Sequence, residues 1–226
     1  MPRNLTQYVC LNGVAAALLL CGNAVPGQAA EKQLVLLYNT AQVAREIMAE
    51  AQATAAQVLR QAGIEVRWMD CSAALDGRPK IPSCSENLDK RPLVLQVLNL
   101  AGSLTNQRSL GYAAVDSDGG TLTFVYFDRV EKFMASSESP CSLPRMLGHA
   151  MAHEMGHLLL SLVGHNSEGI MVRKWGQKQM QQAANGELLF TFYEAARMRE
   201  EVKRRAAAGA AKMTQNQAKG DSPPFR

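Results

Sequence analysis

Apolar residues along the chain recur in two periods, and the switches between them mark out the elements. Residues 33–39, Gln-Leu-Val-Leu-Leu-Tyr-Asn, form a short apolar run ending in turn formers, the pattern of a buried strand. Thr40 is placed to cap the helix that follows, which is rich in Ala, Gln and Glu, runs to Ala62 and stops at Gly63. Residues 64–69, Ile-Glu-Val-Arg-Trp-Met, alternate apolar and polar as a half-buried strand does. Strand, helix, strand in this order predicts a right-handed βαβ unit with parallel strands.

A loop at 71–91 carries Gly77, Pro79 and Pro82, and Pro92 opens the next apolar run at 93–98. Residues 110–115 read as a short strand, 118–120 as a turn, and 121–127 as a strong strand. A turn that tight pairs its flanking strands antiparallel. The predicted fold is α/β: a mixed, mostly parallel twisted sheet with an antiparallel edge strand and one long helix laid on it. From Ser142, a suitable N-cap with Pro144 in the first turn, the pattern becomes helical. Leu143, Met146, Leu147, Ala150, Met151, Leu158 and Leu159 make that helix apolar on most sides, as a core helix is. Gly164 is read as its end. Further helix is predicted over 178–205, and the Ala-, Gln-, Lys- and Pro-rich stretch 206–226 as an unstructured tail.

Composition fits one ordinary globular domain, at 47% hydrophobic and 19% charged residues. We read residues 31–205 as that domain, in an upper part, 31–164, and a C-terminal part, 165–205. The net charge of +4 is mild, and no basic face interleaved with aromatics points to nucleic acid. The first 30 residues read as a signal peptide. Arg3 gives the positive start, Val14 to Leu20 the apolar stretch, and Ala29 and Ala30 the small residues at the cleavage point. That stretch is shorter than the roughly 20 residues needed to cross a bilayer, so no lasting membrane anchor is predicted. Secretion or a periplasmic location follows, and oxidising conditions suit a disulfide. Of the cysteines beyond the leader, Cys71 and Cys84 are the predicted pair across the Pro-rich loop, and Cys141 is left buried and inert.

All four histidines lie between positions 149 and 165. His153 and His157 are four apart, so a helix places both on one face with Cβ atoms about 5–6 Å apart. That spacing lets two imidazoles reach one Zn²⁺. Glu154 stands next to the first imidazole, where it acts on a water rather than on the metal. Two imidazoles and a carboxylate on an apolar helix need compensation, since burying them unpartnered costs several kcal/mol. A metal supplies it. Gly164 lets the chain turn so that His165 returns as the third ligand. His149 competes, but it lies eight residues before His157, about 12 Å along a helix, and cannot share one ion with both others. Glu168, Glu187 and Glu194 remain alternatives for the third position.

His153-Glu154-Met155-Gly156-His157 followed by Leu158-Leu159-Leu160, then Gly164-His165 and Gly169-Ile170-Met171, resembles the metzincin zinc peptidases, and within them an exported bacterial subgroup. The resemblance implies a zincin-type fold with an active-site helix and a C-terminal helical subdomain. It implies His153, His157 and His165 as ligands of one zinc ion, Glu154 as general base and Met171 as the methionine of the turn beneath the metal. Two features depart from the family pattern. The step from His157 to His165 is eight residues where metzincins use six, and Val172 and Arg173 follow the methionine where some carry a tyrosine. Tyr112, Arg173 and Tyr193 are candidates for an electrophilic helper, with none assigned.

The activity so implied is endopeptidase action on peptide or protein substrates, bound along the edge hairpin. Two other classes remain: an exported zinc-binding protein of the same fold without turnover, and a zinc hydrolase of non-peptide amide bonds. Nothing in the sequence reports on oligomeric state.

Overall fold

The computed structural model describes residues 31–72, 84, 91–99, 109–115, 120–136, 140–161 and 164–220. The leader, most of the Pro-rich loop, the 118–119 turn and residues 221–226 lie outside that set. Five strands form one sheet: β1 (Glu31–Asn39), β2 (Ile64–Asp70), β3 (Leu93–Leu98), β4 (Gly111–Ala114) and β5 (Leu122–Tyr126), in the order β2-β1-β3-β5-β4. β1 pairs in parallel with β2 and β3, and β3 with β5, while β4 runs antiparallel to β5 at the edge. The mixed, mostly parallel sheet with an antiparallel edge is the predicted one.

Helix α1 (Arg45–Gln61) joins β1 to β2, burying Met48, Ala51, Ala55, Val58 and Leu59 at helical spacing. It starts later than predicted, and Thr40 does not cap it. The Thr40 hydroxyl donates to the Val97 carbonyl of β3 at 2.9 Å. Asn39 meanwhile bonds the backbone N–H and carbonyl of Val43, both at 2.9 Å, and holds a turn there before the helix begins. The sheet is covered on both faces. Val35 and Leu37 of β1 with Leu93, Leu95 and Val97 of β3 face the main core. Leu34 and Leu36 point the other way, onto the predicted Cys71–Cys84 disulfide.

The strand predicted over 121–127 ends one residue early, and Phe127 opens an unpredicted helix, α2 (Phe127–Ala135). Phe127, Val130, Phe133 and Met134 pack from it against the core at helical spacing, a signal masked by the strand-like run before it. Helix α3 (Leu143–Leu160) is capped by Ser142, whose Oγ accepts from the Arg145 N–H, and is buried from Met146 to Leu160. It ends at Leu160, with Ser161 in the left-handed conformation, and not at Gly164. Its last carbonyls are taken by side chains from the C-terminal helix: Arg197 donates to Leu160 at 3.2 Å and Arg205 to Leu158 at 3.3 Å. Cationic donors at a helix C-terminus satisfy carbonyls that would otherwise continue it.

The predicted 178–205 helical region is two helices, α4 (Gln177–Asn185) and α5 (Phe192–Gly220), separated at Gly186, which takes φ +75°. The helix also continues to Gly220 where the sequence predicts an unstructured stretch from Ala206. α5 packs on α3 and β1, with Met198 and Val202 in the core. Buried Arg205, bonded to Glu201 of the same helix at 2.7 Å, ties α5 to the Gly120 carbonyl at 2.7 Å. Among the described residues no helix is long and apolar enough to cross a membrane.

Candidate metal centre

α3 carries His153, Glu154 and His157 into the interior within about one turn, each under a tenth exposed. The Nε2 atoms of the two histidines stand 3.2 Å apart. That is close to the edge of a tetrahedron of nitrogens about 2.0–2.1 Å from a central zinc, roughly 3.3 Å. His165, on the loop after α3, brings its ring to 4.8 Å from that of His157 and 5.5 Å from that of His153, centroid to centroid. The ligand atoms of His153, His157 and His165 all lie within 4.8 Å of one another, compact enough for a single metal ion. Three convergent imidazoles and no thiolate or carboxylate make a donor set that fits Zn²⁺ with a position left open.

His153 is oriented from behind. Its Nδ1 lies 2.7 Å from the Ile170 carbonyl, which only accepts, so Nδ1 carries the proton and Nε2 keeps its lone pair for a metal. The same carbonyl accepts from the Trp175 indole N–H at 3.2 Å, and the indole packs edge-on to His153 at 5.5 Å. Burial first, with the neighbouring His157 and His165 rings acting the same way and the Ile170 bond opposing them, pushes the His153 pKa down to about 3. His165 is also lowered, by partial burial first and then by the charges of His157 and Arg173. Neutral imidazoles are what a metal requires.

Glu154 sits in a space made by an absent side chain. A Cβ added to Gly111 of β4 would fall 2.5 Å from the Glu154 Cγ and 2.6 Å from its Cδ, so only glycine lets the edge strand lie against this carboxyl. Burial raises the Glu154 pKa to about 8 in the metal-free protein.

Met171 packs against the His153–His157 turn of α3. A Cβ on Gly156 would meet the Met171 sulfur at 2.8 Å and the Phe190 ring at 2.6 Å, so this glycine admits both under the His153–His157 turn. The loop from His165 to Val172 folds back on itself through the Asn166 N–H, which donates to the Met171 carbonyl at 2.9 Å. Gly169 supplies the positive φ of +71° at its tip. The Ile170 N–H donates to Leu189 at 2.8 Å and fixes the loop to the chain entering α5.

The rivals lie outside the group. His149 bonds the Arg145 carbonyl of its own helix through Nδ1 at 2.9 Å and is buried, which lowers its pKa. Glu194 is buried but spends both oxygens on Thr191 and Asn166. Glu187 accepts from Asn185 at 3.4 Å, and Glu168 is exposed. Cys141 is buried, which raises its thiol pKa, and its sulfur lies 3.6 Å from the Ser142 carbonyl, away from the histidines. Of the helper candidates, Tyr112 stacks on Phe124 at 6.5 Å and Tyr193 points largely into solvent. Sequence reasoning passed over Gly111, Trp175 and the Ile170 carbonyl. Trp175 alone left a trace, as an isolated aromatic in a polar stretch four residues beyond Met171.

No protein-family model and no curated protein matches the sequence. Among solved structures the chain is similar to a zinc-dependent peptidase from Methanocorpusculum labreanum, at 14% identity and a TM-score of 0.47, over 73% of this chain and 99% of that one. It is also similar to an archaemetzincin from Methanopyrus kandleri, at 16% identity and a TM-score of 0.47, over 79% of this chain and 99% of that one.

Proposed function

We propose that the protein is an exported, metzincin-like zinc endopeptidase in which His153, His157 and His165 hold the metal and Glu154 is the general base. One observation carries the reading: three imidazoles converge beside a carboxyl that is buried, has no cation paired with it among the described residues, and is adjacent in sequence to the first of them. A protein that only stores or carries zinc has no use for that carboxyl, whose burial is costly.

When bound, zinc supplies Lewis acidity that polarises a peptide carbonyl and acidifies a water, and its charge favours the ionised form of the neighbouring Glu154. The Glu154 carboxylate takes the proton of the attacking water at one Oε and delivers it to the departing amine nitrogen. β4 is an edge of the sheet, and its Gly111 lies against Glu154. An extended substrate adding to that edge would have its register set by main-chain hydrogen bonds and would pass the carboxylate. The leader-like first 30 residues and the Cys71–Cys84 disulfide support an exported location.

Cleavage of a mixed peptide library, with and without chelator, tests the reading. The protein is expected to cut peptides only when metal is present. Glu154→Gln is expected to lower turnover by roughly 10²–10⁴-fold while zinc stays bound. Full turnover in that variant would remove Glu154 from the mechanism, and absence of any chelator-sensitive cleavage would leave a zinc-binding protein.

A further inference from the structure

The two helical ligands are held by α3 itself, but His165 is an exposed residue on a loop and needs another anchor. The next residue provides one. Asn166 pairs back across the loop through its N–H to Met171, and its side-chain Nδ2 donates to Oε1 of Glu194. Glu194 is the third residue of α5 and is 2% exposed. Its other oxygen, Oε2, accepts from the Thr191 N–H at 2.7 Å and from the Thr191 hydroxyl at 2.9 Å, while the Glu194 N–H donates to that hydroxyl at 3.3 Å. Thr191 and Glu194 are thus a reciprocal capping box at the start of α5. A capping box uses one carboxylate oxygen, and here the second is turned toward the loop that carries His165.

We propose that Glu194 is a positioning residue for the metal site: through Asn166 it fixes His165, so that the N-terminus of α5 sets how tightly the ion is held. The proposal rests on the reading of His165 as the third ligand. The chemistry is that of an outer hydrogen bond that orients a ligand-bearing group, whose loss lowers metal affinity even though it touches no metal. Glu194 suits the task because a buried carboxylate with all its bonds made has one arrangement open to it. Asn166, exposed in a loop, would otherwise have many. The same entry segment also reaches the other side of the site, since the Leu189 carbonyl holds Ile170 and Ile170 orients His153.

The test is zinc affinity of the full chain, measured by competition with a chromophoric chelator, together with the visible absorption of the cobalt-substituted protein. Glu194→Ala is expected to weaken zinc binding about 10–100-fold and to alter the cobalt spectrum. It removes the oxygen that meets Asn166 together with the one that meets Thr191. Asn166→Ala should show the same loss, and the two changes together no more than either alone, because they break one link. Glu194→Gln should keep most of the affinity, since its amide can donate to Asn166 Oδ1 once the Asn166 amide turns over, while its oxygen still accepts from the Thr191 N–H. Thr191→Ala removes the cap but leaves the link. It should lower the melting temperature of the metal-free protein and keep zinc affinity.

Two results would overturn the proposal with the ligand reading intact: undiminished affinity in Glu194→Ala and Asn166→Ala when His165→Ala has lost it, or an equal loss in Thr191→Ala. Undiminished affinity in His165→Ala would instead bring down the ligand reading itself. If Glu194→Ala fails to fold, Asn166→Ala, at an exposed position, decides the matter alone.

Discussion

At the scale of single residues the site is governed by who pays for burial of ionisable groups. Glu154 and His153 are both driven to their neutral forms, by the same cause acting on opposite charges. The consequences for stability of the metal-free protein have opposite signs. Glu154 titrates near 8 when folded and at its ordinary 4.5 when unfolded, so the folded state holds the extra proton between those values. Its contribution is present below 4.5 and is lost as pH rises to about 8. His153 titrates near 3 when folded and at 6.5 when unfolded, so stability instead falls as pH drops below 6.5. His149 and His165, also lowered, act in the same direction. Between pH 6.5 and 8 only the Glu154 effect operates among these groups. Chemical denaturation of the metal-free protein should therefore show stability declining across that window. Glu154→Gln should flatten the decline, and an unchanged slope would mean that the carboxyl is already ionised.

Between elements, the decisive contact is β4 against α3. The edge strand approaches the helix so closely at Gly111 that a methyl group there would overlap the Glu154 side chain and the Phe124 carbonyl, at 2.5 Å each. Gly111→Ala is expected to push the carboxyl aside without touching a ligand. A misplacement of about 1 Å in a reacting group costs on the order of 10²-fold in rate. Turnover should fall by that order while zinc affinity stays near that of the parent, a split that steady-state kinetics and chelator competition together would resolve. Equal losses in both would place the damage in the metal site instead. The elements also explain where sequence boundaries slipped. α1 starts late because the Asn39 side chain closes a turn first, and α3 stops early because Arg197 and Arg205, 37 and 47 residues away, take its last carbonyls.

For the molecule as a whole, the sheet is sandwiched between a large helical core and a small second one that consists of Leu34, Leu36 and the Cys71–Cys84 pair, with Tyr38, Met69 and Val94 against them. Among the described residues this layer is thin, and the covalent link ties it together. The cysteines are 13 residues apart, and closing a loop of that size removes about 3 kcal/mol of unfolded-state freedom. Replacing both with Ala should lower the unfolding free energy by about that amount while zinc binding by the folded protein is retained, since the histidines lie across the sheet. A variant as stable as the parent would show that this face needs no staple.

The sequence by itself determined what depends on local spacing. The strand and helix periods, the antiparallel hairpin, and the pairing of His153 with His157 all follow from residues a turn or a pleat apart, where geometry is set by the backbone alone. Cys71 and Cys84 were legible for a similar reason, as two cysteines flanking one short loop. Only the tertiary structure decided what joins distant segments. It brought His165 beside α3, seated Glu154 against Gly111, ran α5 on to Gly220, and turned Glu194 from a rival ligand into the anchor of Asn166. Glu194 carries no local mark of that role. A carboxylate three residues after a threonine reads as a helix cap, and which loop its second oxygen meets is settled by packing between segments 28 residues apart.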